Sequence, residues 1–354
     1  MRPLVVPALC LCLLSLPAAA QSTDGAVANP AAAQPSTAAY AGTASAAPDT
    51  AEAVPEQIRV VAQRPGPGMW KVSKGEHVLW VFGTYAPLPK DMQWRSAQVE
   101  AVIRNAQEYL APPQALAKPG FFKYVTLLPS MIGMRKNPDG ATLRDVMPAD
   151  DYARWSGLKA KYLPDNDDVE RERPIFAAQA LTDAARRQAG LSSDKAVREQ
   201  MVELIKKNKL KETTSTFEIP MDNARTVLKN FKKSTIGDAA CLARTMATLE
   251  SDIAAASARA NAWAKGDMEE MRKLDFSSRE EACFGAMMNS AAFDAEPEFR
   301  NMKDRANAKW IVSAEKALAL NASTFAMLPI GAILDPKGVI AALAAKGYSV
   351  EQPE

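Results

Sequence analysis

Histidine is nearly missing from this chain: its 354 residues contain one, His77. A Ser-His-Asp relay needs an imidazole beside its nucleophile, so hydrolysis of that kind would have to be forced onto a single residue. No Gly-x-Ser-x-Gly elbow, P-loop or Gly-x-Gly-x-x-Gly run occurs, which removes the signatures of α/β-hydrolases, nucleoside triphosphatases and dinucleotide binding. An excess of charge is missing too. Against 43 basic residues stand 41 acidic ones, a net +2, which gives no electrostatic footprint for nucleic acid or an acidic membrane. No apolar run after the first few residues is long and charge-free enough to cross a bilayer, and no tandem repeat of solenoid length is visible. Cysteine is scarce. Of four, Cys10 and Cys12 lie in the first apolar run, leaving Cys241 and Cys283.

What is there begins with an address. Met1-Arg2, the apolar run Leu4 to Leu16, and Pro17-Ala18-Ala19-Ala20-Gln21 have the charged start, short greasy core and Ala-x-Ala end of a secretory signal peptide, with cleavage expected after Ala20. Neither leader cysteine follows the small residue that lipid attachment needs, so no lipid anchor and no transmembrane anchor after cleavage is expected. Residues 21–57 are rich in Ala, Ser, Thr and Pro and poor in large apolar groups, the composition of a flexible leader. Residues 58–354 are then one α/β domain in a periplasmic or secreted protein. An oxidising compartment favours pairing, which predicts a Cys241–Cys283 disulfide.

The stretch Met69 to Pro89 organises the rest. It reads as two strands around a polar turn, Ser73-Lys74-Gly75-Glu76, the second carrying the apolar run Val78 to Phe82 and breaking at Gly83-Thr84. A small residue and a hydroxyl at the carboxyl end of a buried strand stand where α/β folds place ligands. Ile58 to Gln63 is a candidate earlier strand. Helical spacing over Arg95 to Gln107 and a short strand Glu108 to Ala111 complete a strand-helix-strand unit, hence parallel pairing.

The middle reads as helices: Ala149 to Tyr162, Arg173 to Ala189, and one capped by Ser192-Ser193-Asp194 with Val197, Met201, Leu204 and Ile205 on one face. Its Lys206, Lys207 and Lys209 suit a helix carboxyl end better than a nucleic-acid patch. A strand is expected at Thr213 to Ile219, helices at Gly237 to Lys265 and Glu296 to Leu320, a strand at Ser323 to Pro329, a turn at Asp335 to Gly338, a helix at Val339 to Lys346 and a strand at Tyr348 to Val350. The two ends share one mixed sheet in this reading, with a helical insertion over about 140–320 between them.

Both ends carry motifs of a known kind. Trp80-Val81-Phe82-Gly83-Thr84-Tyr85-Ala86-Pro87 stands first; Asn307 and Trp310 on a helix, Gly331-Ala332-Ile333-Leu334, Gly338 and Gly347-Tyr348-Ser349-Val350 close the chain, with Phe217-Glu218-Ile219 between. In order and spacing these resemble the TraB/GumN family, which includes the Tiki-type metalloproteases. The resemblance implies an α/β scaffold whose two motif histidines and nearby glutamates hold a divalent metal in catalytic members. Here the histidine positions carry Ala86 and Leu334, the motif arginine falls on Ala306, and a family glutamate aligns near Pro112. None of these side chains can ligate. The expectation is a catalytically inactive binding or scaffolding protein with no cofactor. Its candidate cleft is at Gly83, Thr84, Tyr85, Glu218 and Gly331, and its partner is a periplasmic ligand or protein, not nucleic acid. The alternative is a hydrolase with an altered, carboxylate-based metal site in which Glu218 takes part. His77, at the far end of its strand from the motif, reads as a surface or hairpin residue and not a ligand.

Overall fold

The computed structural model describes residues 66–353 apart from 91, 119–120, 194, 221–222, 235–236, 274–282, 284, 286–287, 289–292 and 294–296. The stretches expected to be a signal peptide and a leader, and the strand expected at Ile58 to Gln63, fall outside the described residues.

Strands β1 (Met69–Lys74) and β2 (His77–Thr84) form an antiparallel hairpin closed by Gly75-Glu76. Gly75 has φ 58°, a left-handed value that tight hairpin turns need and glycine adopts freely. The chain then makes β3 (Leu88–Pro89), α1 (Ala97–Asn105), β4 (Glu108–Leu110), β5 (Gln114–Lys118) and α2 (Phe121–Met131). A helical stretch follows with α3 (Leu143–Val146), α4 (Ala149–Tyr162), α5 (Pro174–Gln188), the short β6 (Leu191–Ser192) and α6 (Lys195–Lys207). Next come β7 (Lys211–Thr213), β8 (Thr216–Pro220), α7 (Ala224–Lys233), α8 (Ala239–Lys265) and α9 (Met268–Arg272). The closing elements are α10 (Met302–Leu320), β9 (Ser323–Pro329), α11 (Ile330–Leu334), α12 (Val339–Ala345) and β10 (Ser349–Glu351).

The main sheet has the order β10-β1-β2-β9-β4-β7. β1 runs antiparallel to both its neighbours, while β2, β9, β4 and β7 are parallel. The two ends of the chain thus share one mixed sheet, and β9, from the carboxyl end, slots between β2 and β4 of the first strand-helix-strand unit. Trp70, Leu79, Val81, Phe325 and Trp310 are buried in the core around it. α1 shows why this works locally: Val99 and Ile103, one turn apart, are its buried residues, the stripe an amphipathic helix lays on a sheet.

Two elements differ from the sequence expectation. The strand expected at Thr213 to Ile219 is two strands, β7 on the edge of the main sheet and β8 paired in parallel with β5 in a second sheet. The cause is Pro112-Pro113. Ala111 still donates its N–H to the Thr213 carbonyl over 2.9 Å, but the next two residues have no N–H to give. The ladder stops there and resumes with Gln114 opposite Thr216. The helix expected from Glu296 starts at Met302, because Pro297–Phe299 form a 3-10 turn and Asn301 is left-handed at φ 53°.

A second apolar cluster joins α4, α5 and α8 around Trp155, Leu181, Leu242 and Leu249. The Trp155 indole donates to Glu170 Oε1 over 2.9 Å. At its edge lies the Cys241–Cys283 disulfide, Cα–Cα 4.7 Å, as expected from the sequence.

Candidate ligand cleft at the strand carboxyl ends

β2, β9 and β4 end side by side: Thr84 is in register with Pro329, and Leu110 with Ala326. Residues in register across a sheet point the same way and faces alternate along a strand, so Thr84, Met327, Pro329 and Tyr109 share one face. A cavity of about 430 Å³ opens against that face. The link between β4 and β5 borders it with Pro112 and Gln114. Helix α6 closes it. Val197, Met201 and Ile205 anchor that helix in the core, and the neighbouring stripe, Lys195, Arg198, Glu199 and Val202, is left to line the cavity.

Two aromatic anchors hold the strand ends in place. The Trp263 indole donates to the Gly83 carbonyl over 2.8 Å, and the Trp310 indole donates to the Ala111 carbonyl over 3.0 Å. The second bond fixes the chain just before Pro112-Pro113, which explains why the motif tryptophan sits on α10. Gly338 is explained as well: a Cβ there would stand 2.5 Å from the Ala332 carbonyl oxygen, so the turn into α12 has no room for a side chain.

The charges in the cleft come from α6. Lys195 Nζ lies 3.6 Å from Glu199 Oε1, an exposed pair one turn apart. The Tyr109 hydroxyl has its pKa raised, first by burial and then by the Glu212 carboxylate, with the Arg198 guanidinium pulling the other way. It is therefore a protonated donor at neutral pH.

The residues singled out from the sequence distribute unevenly around this cavity. Thr84 lines it. Gly83 is packed: a Cβ would meet Trp70 Cζ3 at 2.9 Å and Ile333 Cδ1 at 3.4 Å. Tyr85 is buried and has its pKa raised by desolvation and by Asp252, with Arg259 pulling the other way. Glu218 is exposed on β8, between buried Phe217 and Ile219. Gly331 is half-buried in α11, the helix that follows β9, and neither it nor Glu218 lines the cavity. Ala86, which is exposed, and Leu334, which packs on the core, both follow the carboxyl ends of adjacent strands. Asn307 is half-buried on α10 one turn before Trp310.

Sequence reading missed the α6 wall, because Lys195, Arg198 and Val202 lie more than a hundred residues from Thr84. The available signal was their spacing, which continues around the helix from the apolar stripe already visible. His77 sits at the opposite end of β2, where its Nδ1 donates to the Asn321 carbonyl over 2.7 Å. Among the described residues no group of three or more His, Cys, Asp or Glu side chains is placed to hold a metal ion, and no helix is long and apolar enough to cross a membrane.

A second concavity of similar size lies beside α10, lined by Thr214, Ser215, Thr216 and Lys309 among others. Lys309 Nζ already donates to the Thr216 carbonyl over 3.1 Å. It is the shallower of the two and touches no parallel-strand terminus, so the cleft under α6 is the better placed for a ligand.

No curated protein and no solved structure matches the chain. The family model described as the TraB/PrgY/gumN family matches residues 68–352, a span that runs from the strand before the first motif to the last strand of the sheet. The chain therefore belongs to the TraB/PrgY/gumN family.

Proposed function

We propose that this chain is an exported member of its family that binds a ligand at the carboxyl ends of β2, β9 and β4 and does not hydrolyse it through a metal centre. The single observation that carries the reading is chemical. The positions at which the family resemblance expects metal ligands hold Ala86, Leu334 and Pro112. Divalent metal needs lone pairs from imidazole, thiolate or carboxylate, and hydrocarbon offers none. The donors present do not fit a metal, and no catalytic step is derived through one. What remains at the strand ends is a cavity of about 430 Å³ with apolar walls and a few polar groups, the make-up of a small-molecule site.

Export is supported by the charged, apolar and Ala-x-Ala order of residues 1–20 and by the Cys241–Cys283 disulfide. The carboxylate-based alternative would need partners for Glu218, and its exposed place on β8 lies away from the cavity lining. The test is hydrolysis. Purified mature protein incubated with peptide and ester mixtures, with zinc or manganese added, is expected to show no chelator-sensitive turnover. Metal-dependent cleavage that Glu218→Gln abolishes would replace this reading with the hydrolase.

A further inference from the structure

We propose that the end of α2 and the exposed side of α7 form a docking face for an anionic phospholipid surface, with Leu128 and Ile132 entering the bilayer and Arg225, Lys229 and Lys233 meeting its headgroups. The inference does not depend on the reading of the cleft.

Charge is balanced over the whole chain but not here. Neither residues 121–138 nor residues 223–237 contain an acidic side chain. On α7, Ala224, Val227 and Phe231 are buried, while Arg225, Lys229 and Lys233, each one turn from the next, are exposed and form a stripe. Among the described residues, Lys229 and Lys233 have no acidic partner. Like charges one turn apart repel, a cost that an opposing negative surface reverses. The nearby Arg135 and Lys136 are already paired with Glu172 and Asp168 and are not counted.

Lysines in a last helical turn often serve the helix dipole. In α7 that need is met from inside. The buried Arg173 guanidinium donates to the carbonyls of Phe231, Lys232 and Ser234 over 2.7, 3.1 and 2.9 Å. The lysine charges are left for the outside.

The apolar half comes from α2. The basic stripe lies on the side of α7 nearest that helix: Arg225 Nη2 donates to the Thr126 carbonyl over 3.3 Å, and Leu228 and Met131 pack on the buried Met134 and Phe231. With Leu127 and Met134 turned inward, Leu128 and Ile132 are left 45% and 75% exposed, one turn apart. Pro129 is exposed between them. Hydrocarbon bordered by uncompensated cations is the make-up of a face that lies on an acidic membrane. A soluble polyanion would meet the lysines and leave Ile132 in water.

The test is flotation with vesicles of phosphatidylcholine alone and of equal parts phosphatidylcholine and phosphatidylglycerol. The chain is used without residues 1–20, whose apolar run would itself enter a bilayer. Ile132→Ser, the Lys229→Glu, Lys233→Glu double variant, and a control double variant on α6, Lys206→Glu, Lys207→Glu, are run beside it. All five positions are exposed, and thermal unfolding confirms that each variant is folded. The wild type is expected to bind the mixed vesicles about tenfold or more tighter than the neutral ones and to be released by about 0.5 M salt. Ile132→Ser should weaken binding by about fivefold and the α7 pair by about tenfold or more. The control pair, which changes net charge equally, should weaken it by less than about twofold.

Equal binding to both kinds of vesicle, or none to either, overturns the proposal. So does a control pair as damaging as the α7 pair, which would make net charge and not this face responsible. Binding unchanged in Ile132→Ser would overturn it too, and leave a basic stripe that meets polyanions without entering a bilayer.

Discussion

The indole N–H of Trp263 donates to the carbonyl of Gly83 across 180 positions of sequence, at 2.8 Å. β1 pairs with β2 only as far as Phe82, so the Gly83 carbonyl lies beyond the antiparallel ladder, and a helix side chain completes its hydrogen bonding. The last turns of the 27-residue α8 are thereby tied to the strand end that borders the cleft. Phe82 and Trp94 surround the same indole with ring centroids 6.2 Å and 5.7 Å away. Trp263→Phe keeps much of that packing and removes the donor. It is expected to lower stability by about 1–3 kcal/mol, the cost of a buried carbonyl left unpaired. Urea unfolding of the variant measures this, and an unchanged midpoint would show the bond to be dispensable.

Two glycines should answer differently to a single methyl group. In Gly83→Ala the new Cβ meets the Trp70 ring at 2.9 Å, in Gly338→Ala it meets a backbone oxygen at 2.5 Å. A buried ring yields a little; backbone held in a turn yields less. Gly83→Ala is expected to cost about 1–3 kcal/mol and Gly338→Ala more, with thermal unfolding midpoints in that order. The reverse order would mean that the turn before α12 relaxes more easily than the core at Trp70.

Much of the scaffold was readable because its signals are local. β9 occupies Ser323–Pro329 and α4 ends at Tyr162, both as expected, since an apolar run and a 3.6-residue period need no knowledge of the partner. The split of Thr213 to Ile219 was not readable from those residues, whose β-branched composition is continuous. It follows from Pro112-Pro113 on the neighbouring strand, a hundred positions earlier. β5 escaped for the same reason: Gln114–Lys118 has no strand signature of its own and is a strand because β8 lies beside it. At the cleft, Thr84 was legible as a hydroxyl at a strand end. Its companions Arg198 and Val202 were not, because only the fold brings α6 across the strand termini.

The Cys241–Cys283 disulfide closes a loop of 42 positions and fastens α8 to the segment beyond α9. By the loop-entropy relation it contributes about 4 kcal/mol. The Cys241→Ser, Cys283→Ser double variant should therefore unfold at markedly lower denaturant than the wild type, and dithiothreitol should bring the wild type down to match. If reduction leaves the wild-type midpoint unmoved, the bridge does not stabilise the fold.

Glu108, at the amino end of β4, is 8% exposed and accepts from Asn321 Nδ2 over 2.6 Å, with Lys211 Nζ at 3.5 Å. Burial alone would raise its pKa. Hydrogen bonds from Thr213 and Asn321 and the Lys211 charge outweigh burial and hold it below the ordinary 4.5. A depressed carboxylate stabilises the fold above its unfolded-state pKa, and that stabilisation is lost as pH falls through the folded value. Glu108→Gln should thus be less stable than wild type by about 1–3 kcal/mol at neutral pH, with the gap narrowing as pH falls below about 4.5. A gap that is constant from neutral to acid pH would rule out the carboxylate charge as its source.

The account turns on whether the strand ends hold a metal. Equilibrium dialysis of the purified, chelator-treated chain against zinc or manganese, followed by elemental analysis, tests this without assuming a substrate. The prediction is no stoichiometric binding, and no change in retained metal between wild type and Glu218→Gln. One equivalent retained by the wild type and lost in Glu218→Gln would contradict the account and make this chain a metal-binding member of its family.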